Sequence, residues 1–333
     1  GGYVESSFAL SITTATEGAS IYYTLDGSTP TERSALYTGP IEISGIRTVR
    51  AIASAPGKLV SEESVATYLL GVAHDLPIVC LSMTQSDLDY VFASTERRDI
   101  RERAGYVEYY EAGGKLGVSF PAGFRIAGNG TRLYAQRSIN LYLRGGYGRS
   151  SVVYPFFEDY EIKEFKSLSL RNMGQDVSLS RIRDAYFSMA VKGMNLDYME
   201  SKFAVVYLNG KYWGLYEFKE NQNEDYLASR HGVDRDVISM ARSNTYVYNG
   251  TGNAGIKNLF ALAKGDLAND EKFAAFCEKA DSDYFMDYLI AQCFFANSDA
   301  YNQKYAGSTD GSLKWRPVFY DLDWAFMGAN PKR

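Results

Sequence analysis

Only two histidines, His74 and His231, stand among 333 residues. Chemistry built on several imidazoles is thereby excluded, His-rich zinc sites included. Cysteine is as scarce. Cys80, Cys277 and Cys293 are odd in number and form no Cys-x-x-Cys pair. That excludes a Cys-rich zinc module and a disulfide scaffold, and three buried free thiols are expected ahead of a single disulfide. An excess of positive charge is missing too. Lys plus Arg is 35 against 40 for Asp plus Glu, a net charge of −5. No general nucleic-acid or anionic-membrane binder is expected from such a chain. No apolar run approaches the ~20 residues of a spanning helix. There is no internal repeat and no low-complexity tract. The chain opens Gly1-Gly2 with no Met and no apolar leader, so it reads as mature or trimmed, and a removed signal peptide would not be seen. What is present is ordinary for a globular protein, with 46% hydrophobic and 23% charged residues, apart from an abundance of 27 tyrosines. The length predicts about two domains.

The first 70 residues predict short strands at Ala9–Ile12, Ser20–Leu25, Pro40–Ile43, Arg47–Ala53 and Ser64–Leu69. Turn residues separate them, at Asp26-Gly27-Ser28, Gly39-Pro40, Ser44-Gly45 and Pro56-Gly57. Such spacing predicts a small antiparallel sandwich. The string Ile21-Tyr22-Tyr23-Thr24-Leu25-Asp26-Gly27-Ser28-Thr29-Pro30-Thr31, followed by Tyr37-Thr38-Gly39-Pro40-Ile41 and Thr48-Val49-Arg50-Ala51, resembles the chitobiase C-terminal-like, immunoglobulin-type module. The resemblance covers about residues 8 to 70. It implies a bacterial extracytoplasmic, carbohydrate-associated setting. A spacer or packing role is expected ahead of sugar binding, although Tyr22, Tyr23 and Tyr37 offer rings for stacking.

Residues 71 to 333 change character. Strand-like runs fall at Leu76–Leu81, Lys115–Phe120, Ser138–Leu143, Ser167–Leu170 and Phe203–Leu208. The pair Asn209-Gly210 before Tyr212–Tyr216 is a strong hairpin signal. Helices are predicted at Ser180–Lys192, Glu271–Lys279 and Asp283–Ala296. The last has an apolar stripe of Phe285, Leu289, Ala291, Cys293 and Phe294, with cap candidates in Asp281-Ser282-Asp283. Thr245–Gly255 is predicted to be a soft loop. Strands first and helices later predict an α+β domain.

The run Trp315–Tyr320 leads into Asp321-Leu322-Asp323. In an extended chain these two carboxylates share one face. Paired carboxylates without His or Cys favour a hard cation, although solvated loop acids are common. Upstream, Asn297-Ser298-Asp299-Ala300-Tyr301-Asn302 sets one carboxylate and two amides in a loop. That is also the composition of an Asx turn. The two clusters together have the form of a phosphoryl-transfer site.

These clusters, with Pro77-Ile78-Val79, Leu170–Asp176, Ile182-Arg183-Asp184-Ala185, Tyr207–Tyr216 and Tyr320–Phe326, resemble the CotH kinase family. The match runs in order from about residue 75 to 327. It implies an atypical, remotely kinase-like fold that uses Mg-ATP, with Mn2+ as a substitute, to phosphorylate Ser or Thr of a protein partner. By that resemblance Asp299 is the catalytic acid. Asn302, Asp321 and Asp323 hold the metal, Arg137 stands at the nucleotide's phosphates, and Glu220, on the nucleotide side, holds a basic residue in place, with Arg171 as another phosphate candidate. Arg183 is a further phosphate candidate. The family's Lys-Lys-Ser run is replaced by Gln136-Arg137-Ser138 within the stretch Gly128–Ser138. Two residues separate Asp299 from Asn302, fewer than in ordinary kinases, and the chain stops ten residues after Asp323. A truncated domain, or a pseudokinase that serves as a surface adhesion or carbohydrate-associated protein, is therefore the alternative.

The expected fold class is multidomain, with an N-terminal all-β immunoglobulin-like sandwich over 1–70 and an α+β atypical kinase-like domain over 71–333. The expected place is outside the cytoplasm, at the cell surface, or in a spore coat, where assembly in the mother cell supplies ATP. The expected partners are a Ser/Thr-bearing protein and, through residues 1–70, cell-wall or other polysaccharide, with no nucleic acid and no membrane span.

Overall fold

Alternating apolar residues and turn signals put five N-terminal strands close to where the sequence predicts them, and two more, Gly2–Val4 and Ala35–Leu36, join them, Gly2–Val4 in parallel with Ser64–Leu70. They run over Gly2–Val4, Phe8–Leu10, Ser20–Thr24, Ala35–Leu36, Ile41–Ile43, Arg47–Ser54 and Ser64–Leu70. The computed structural model describes residues 1–97, 99–242, 246–249 and 254–327. Its chain divides into two units. The first comprises Gly1–Phe156, Lys163–Asn172 and Phe203–Phe218, and the second Phe157–Ile162, Met173–Lys202 and Lys219–Arg333.

In the first unit, five of the N-terminal strands form one sheet, and Phe8–Leu10 pairs separately with Ile41–Ile43. The predicted turn at Asp26 closes on itself, because the Asp26 carboxylate accepts the Ser28 N–H at 3.0 Å. Arg50 is buried and donates to the Gly27 carbonyl at 2.7 Å and to Glu63 at 2.8 Å. Tyr23 and Tyr37 meet edge to face, with ring centroids 6.4 Å apart.

A closed barrel follows, in the order Leu116–Ile126, Ile139–Tyr142, Ser167–Arg171, Lys211–Glu220, Ser201–Leu208, Ile78–Ser82 and Arg103–Tyr110. The Asn209-Gly210 turn joins two of these strands with φ of 49° and 74°, the left-handed pair a two-residue hairpin requires. The strand Ser64–Leu70 is packed onto this barrel. Leu69 shares a core cluster with Ile78, Cys80, Tyr110, Val205 and Tyr207. The buried Glu108 carboxylate accepts the Thr67 N–H at 2.9 Å.

The second unit is mixed α/β. A four-stranded sheet runs Tyr246–Asn249, Ile238–Arg242, Tyr305–Ser308 and Arg316–Pro317. Its helices include Arg183–Ala190, Glu224–His231, Ala254–Ala263, Asp270–Lys279 and Ser282–Phe294. Much of the predicted soft loop is therefore regular, with residues 246–249 in a strand and 254–255 opening a helix. Residues 245 and 250–253 of it lie outside the described residues. Asp281 is the predicted cap and accepts the Tyr284 N–H at 3.1 Å.

The predicted stripe on that last helix is corrected. Its inward face is Tyr284, Tyr288, Ala291 and Phe295, clustered with Phe187, Phe319 and Leu322. Leu289 and Phe294 are 52% and 73% exposed. Tyrosine rings fill this core because the hydroxyl finds a polar outlet, as where Tyr284 accepts the Asp197 N–H at 3.0 Å. The cysteines are free as expected, but only Cys80 is buried, Cys277 being half-buried and Cys293 exposed. Among the described residues no helix is long and apolar enough to cross a membrane.

Candidate functional site

Trp315–Tyr320 delivers the chain to Asp321, but only Arg316–Pro317 is strand. Asp321 itself is left-handed, with φ 64°. The extended-chain argument for two carboxylates on one face therefore does not apply. The two acids take different partners. Asp321 accepts the Asn302 side-chain amide at 3.1 Å. Asp323, fully buried, accepts the Gln175 N–H at 2.7 Å.

The loop after helix Ser282–Phe294 meets Asp321. The Asn302 amide that reaches Asp321 also donates to Asp299 at 3.4 Å. Arg242, at the end of strand Ile238–Arg242, donates to the Asn302 side-chain oxygen. The backbone of the loop is held as an Asx turn, with the Asp299 N–H on the Asn297 side chain at 3.1 Å. Tyr320 donates to the Asn302 carbonyl at 2.6 Å. The turn and the gathered acids are thus one feature. Two carboxylates and one amide converge here beside a guanidinium. The Asn302 group between the acids is its NH2, its oxygen being taken by Arg242, so the oxygen donors facing this point are the two carboxylates, the ligand type of a hard divalent cation. Among the described residues no three His, Cys, Asp or Glu side chains gather as a ligand set.

A buried ion pair that sequence reasoning passed over is Lys219 with Asp184. Both are buried, and Nζ lies 2.5 Å from the Asp184 carboxylate. The other Asp184 oxygen accepts the Leu322 N–H at 2.7 Å. One helix-borne acid therefore holds both a buried ammonium and the residue between the two Asp321-Leu322-Asp323 acids. A lysine at the inner end of an apolar strand was the available signal, since lysine is almost never fully buried unless paired.

Glu220 faces elsewhere. Its carboxylate accepts the Tyr160 hydroxyl at 2.7 Å and the Glu200 N–H at 2.9 Å, and lies 3.4 Å from Arg230. Burial pushes its carboxyl up to about 6, against the pull of Arg230. Because the folded form binds this proton more tightly, its stabilising contribution is complete at low pH and is lost as pH rises through about 6. Relative to Glu220→Gln, the protein is expected to lose about 2 kcal/mol of unfolding free energy between pH 4 and pH 7. Urea titrations at both pH values check this, and a difference that rises with pH would refute it.

The remaining predicted residues lie in the first unit or in ion pairs. Arg137 donates to the Phe92 and Ser94 carbonyls. Its Gly-rich stretch contains a short 3-10 helix, Gly130–Leu133, with Arg132 bonded to Ser94 Oγ at 2.6 Å. Arg171 stands 4.0 Å from the buried Glu217. Arg183 pairs with Asp176 at 2.9 Å. The structure thus brings Asp299, Asn302 and Asp321 together, and gives Asp323, Glu220, Arg137 and Arg171 other bonds.

A β-rich N-terminal region followed by a mixed α/β part makes this a multidomain chain. A family model described as CotH kinase protein matches residues 124–333. A second, described as Chitobiase/beta-hexosaminidase C-terminal domain, matches residues 1–67. The chain belongs to the CotH kinase protein family. All seven predicted site residues fall within the longer match. No curated protein matches the chain.

Proposed function

We propose that this chain is an atypical protein kinase that transfers a phosphoryl group from Mg-ATP to a Ser or Thr hydroxyl of a protein partner. The observation that carries the reading is the single Asn302 amide shared by Asp299 and Asp321. In this reading Asp299, which is only half-buried, orients the acceptor hydroxyl and takes its proton. Asp321 would hold Mg2+, or Mn2+ with the same oxygen ligands, Asn302 would join it through the side-chain oxygen that accepts from Arg242 here, and Asp323 fixes the turn that presents them. When bound, the ion neutralises charge on the transferring group. Lys219, steadied by Asp184, is the ammonium offered to a phosphate. Glu220 acts at a distance by pinning Arg230. Arg137 and Arg171 carry no part of this reading.

The remaining proposals are an immunoglobulin-like sandwich for residues 1–70, a kinase-like fold for the catalytic part, and a place at the cell surface or in a spore coat. A non-catalytic, carbohydrate-associated surface protein is the second reading, favoured by the match of residues 1–67. Calorimetric titration with ATP separates the two. Binding is expected with Mg2+ or Mn2+, to be absent without metal, and to weaken by about tenfold or more in Asp321→Asn. No heat at millimolar ATP with metal would overturn the kinase reading.

A further inference from the structure

A cavity of about 300 Å³ opens in the second unit. It lies between the sheet strands Ile238–Arg242 and Tyr305–Ser308, the start of helix Ala254–Ala263 and the end of helix Asp270–Lys279. Its size is at the lower end of the ~300–1,000 Å³ typical of small-ligand sites. Ser239 lies at the bottom, 1% exposed, and its hydroxyl has no hydrogen-bond partner among the described residues. A buried hydroxyl needs a hydrogen-bond partner, and a polar group in the cavity can supply one. Trp315 forms a wall that cannot shift freely. Any Cβ on Gly307 would come within 2.6 Å of its indole, and one on Gly255 within 2.8 Å.

The mouth carries two charges of each sign. Lys279 and Lys314 stand with Glu278 and Asp310, all exposed. Lys314 spends one N–H on the Cys277 carbonyl at 2.8 Å, and Asp310 accepts the Ser312 N–H at 3.0 Å. An anion drawn by the lysines meets the carboxylates, and a cation meets the reverse. A molecule whose polar groups both donate and accept satisfies donors, acceptors and the Ser239 hydroxyl together. Hydroxyl groups on a small ring have that property.

We infer that this cavity binds a small, uncharged, polyhydroxylated molecule of monosaccharide size. The site uses none of the residues assigned to phosphoryl transfer.

The test titrates the full chain with glucose and with N-acetylglucosamine, read by ligand-observed NMR and calorimetry. Saturable millimolar binding of at least one sugar is expected. Ser239→Val, which removes the hydroxyl and fills the floor, and Lys279→Ala, at the exposed mouth, are each expected to weaken it by about tenfold. Should Ser239→Val fail to fold, Lys279→Ala alone decides. Absence of saturable binding would overturn the inference. So would tighter binding of glycine or inorganic phosphate than of either sugar. Sugar binding indifferent to both substitutions would place it elsewhere, residues 1–70 included, and overturn the inference equally.

Discussion

Asp184→Ala is expected to lower the unfolding free energy by about 3 kcal/mol, the lower end of the range for breaking a buried ion pair. Asp184 is 4% exposed and sits in the first turn of helix Arg183–Ala190. One carboxylate oxygen faces Lys219 at 2.5 Å and the other accepts the Leu322 N–H at 2.7 Å. Truncation deprives a buried ammonium of its counter-charge and a buried N–H of its acceptor. Asp184→Asn keeps an oxygen for Leu322 and is expected to cost less. The double variant Lys219→Met with Asp184→Leu removes both charges at similar volume. It is expected to regain most of the loss, because neither group is then buried and charged. In the proposed function it would still fail to bind ATP, which separates a stability effect from a functional one. Urea denaturation of the four proteins gives the energies. An Asp184→Ala protein within about 1 kcal/mol of the parent would show that the pair holds nothing in place.

Glu108→Ala is the second large effect, at about 3–5 kcal/mol, and it acts in the first unit. The Glu108 carboxylate is 1% exposed. It accepts the Thr67 N–H at 2.9 Å, the Thr67 hydroxyl, and the Tyr110 hydroxyl at 2.5 Å. Thr67 belongs to the N-terminal strand Ser64–Leu70 and Glu108 to the barrel strand Arg103–Tyr110. The substitution strands donors from both and leaves a void between them. Amide exchange in residues 64–70 is therefore expected to accelerate by on the order of a hundredfold, ahead of exchange in the barrel strands. Glu108→Gln retains one acceptor oxygen and should fall between. If residues 64–70 stayed as protected in Glu108→Ala as in the parent, the N-terminal strand would not depend on this carboxylate.

Both predictions concern groups that local reading undervalued, for a common reason. Glu108 and Thr67 are 41 residues apart, and Lys219 and Asp184 are 35 apart. A period of two or of 3.6 residues says which face a side chain takes, not which distant residue meets it. The helix Ser282–Phe294 shows the same limit. Its span and its Asp281 cap follow from local chemistry, yet which of its aromatic and aliphatic residues face inward depends on the neighbours Phe187, Phe319 and Leu322 that packing brings to it.

The sequence by itself determined five of the seven strands in the first 70 residues, their turns, and the Asn209-Gly210 hairpin. It also determined the family, and the pairing of one acidic loop with a second. These depend on short-range sterics, capping and motif order, which are written residue by residue. Tertiary structure alone decided that Asp321 takes a left-handed turn and that Asn302 bonds both Asp299 and Asp321. It alone decided that Lys219 is buried on Asp184, and that Glu220 is spent on Arg230 and Tyr160. The physical reason is desolvation. A charge taken out of water must find its partner wherever the chain brings one, and that partner is fixed by packing.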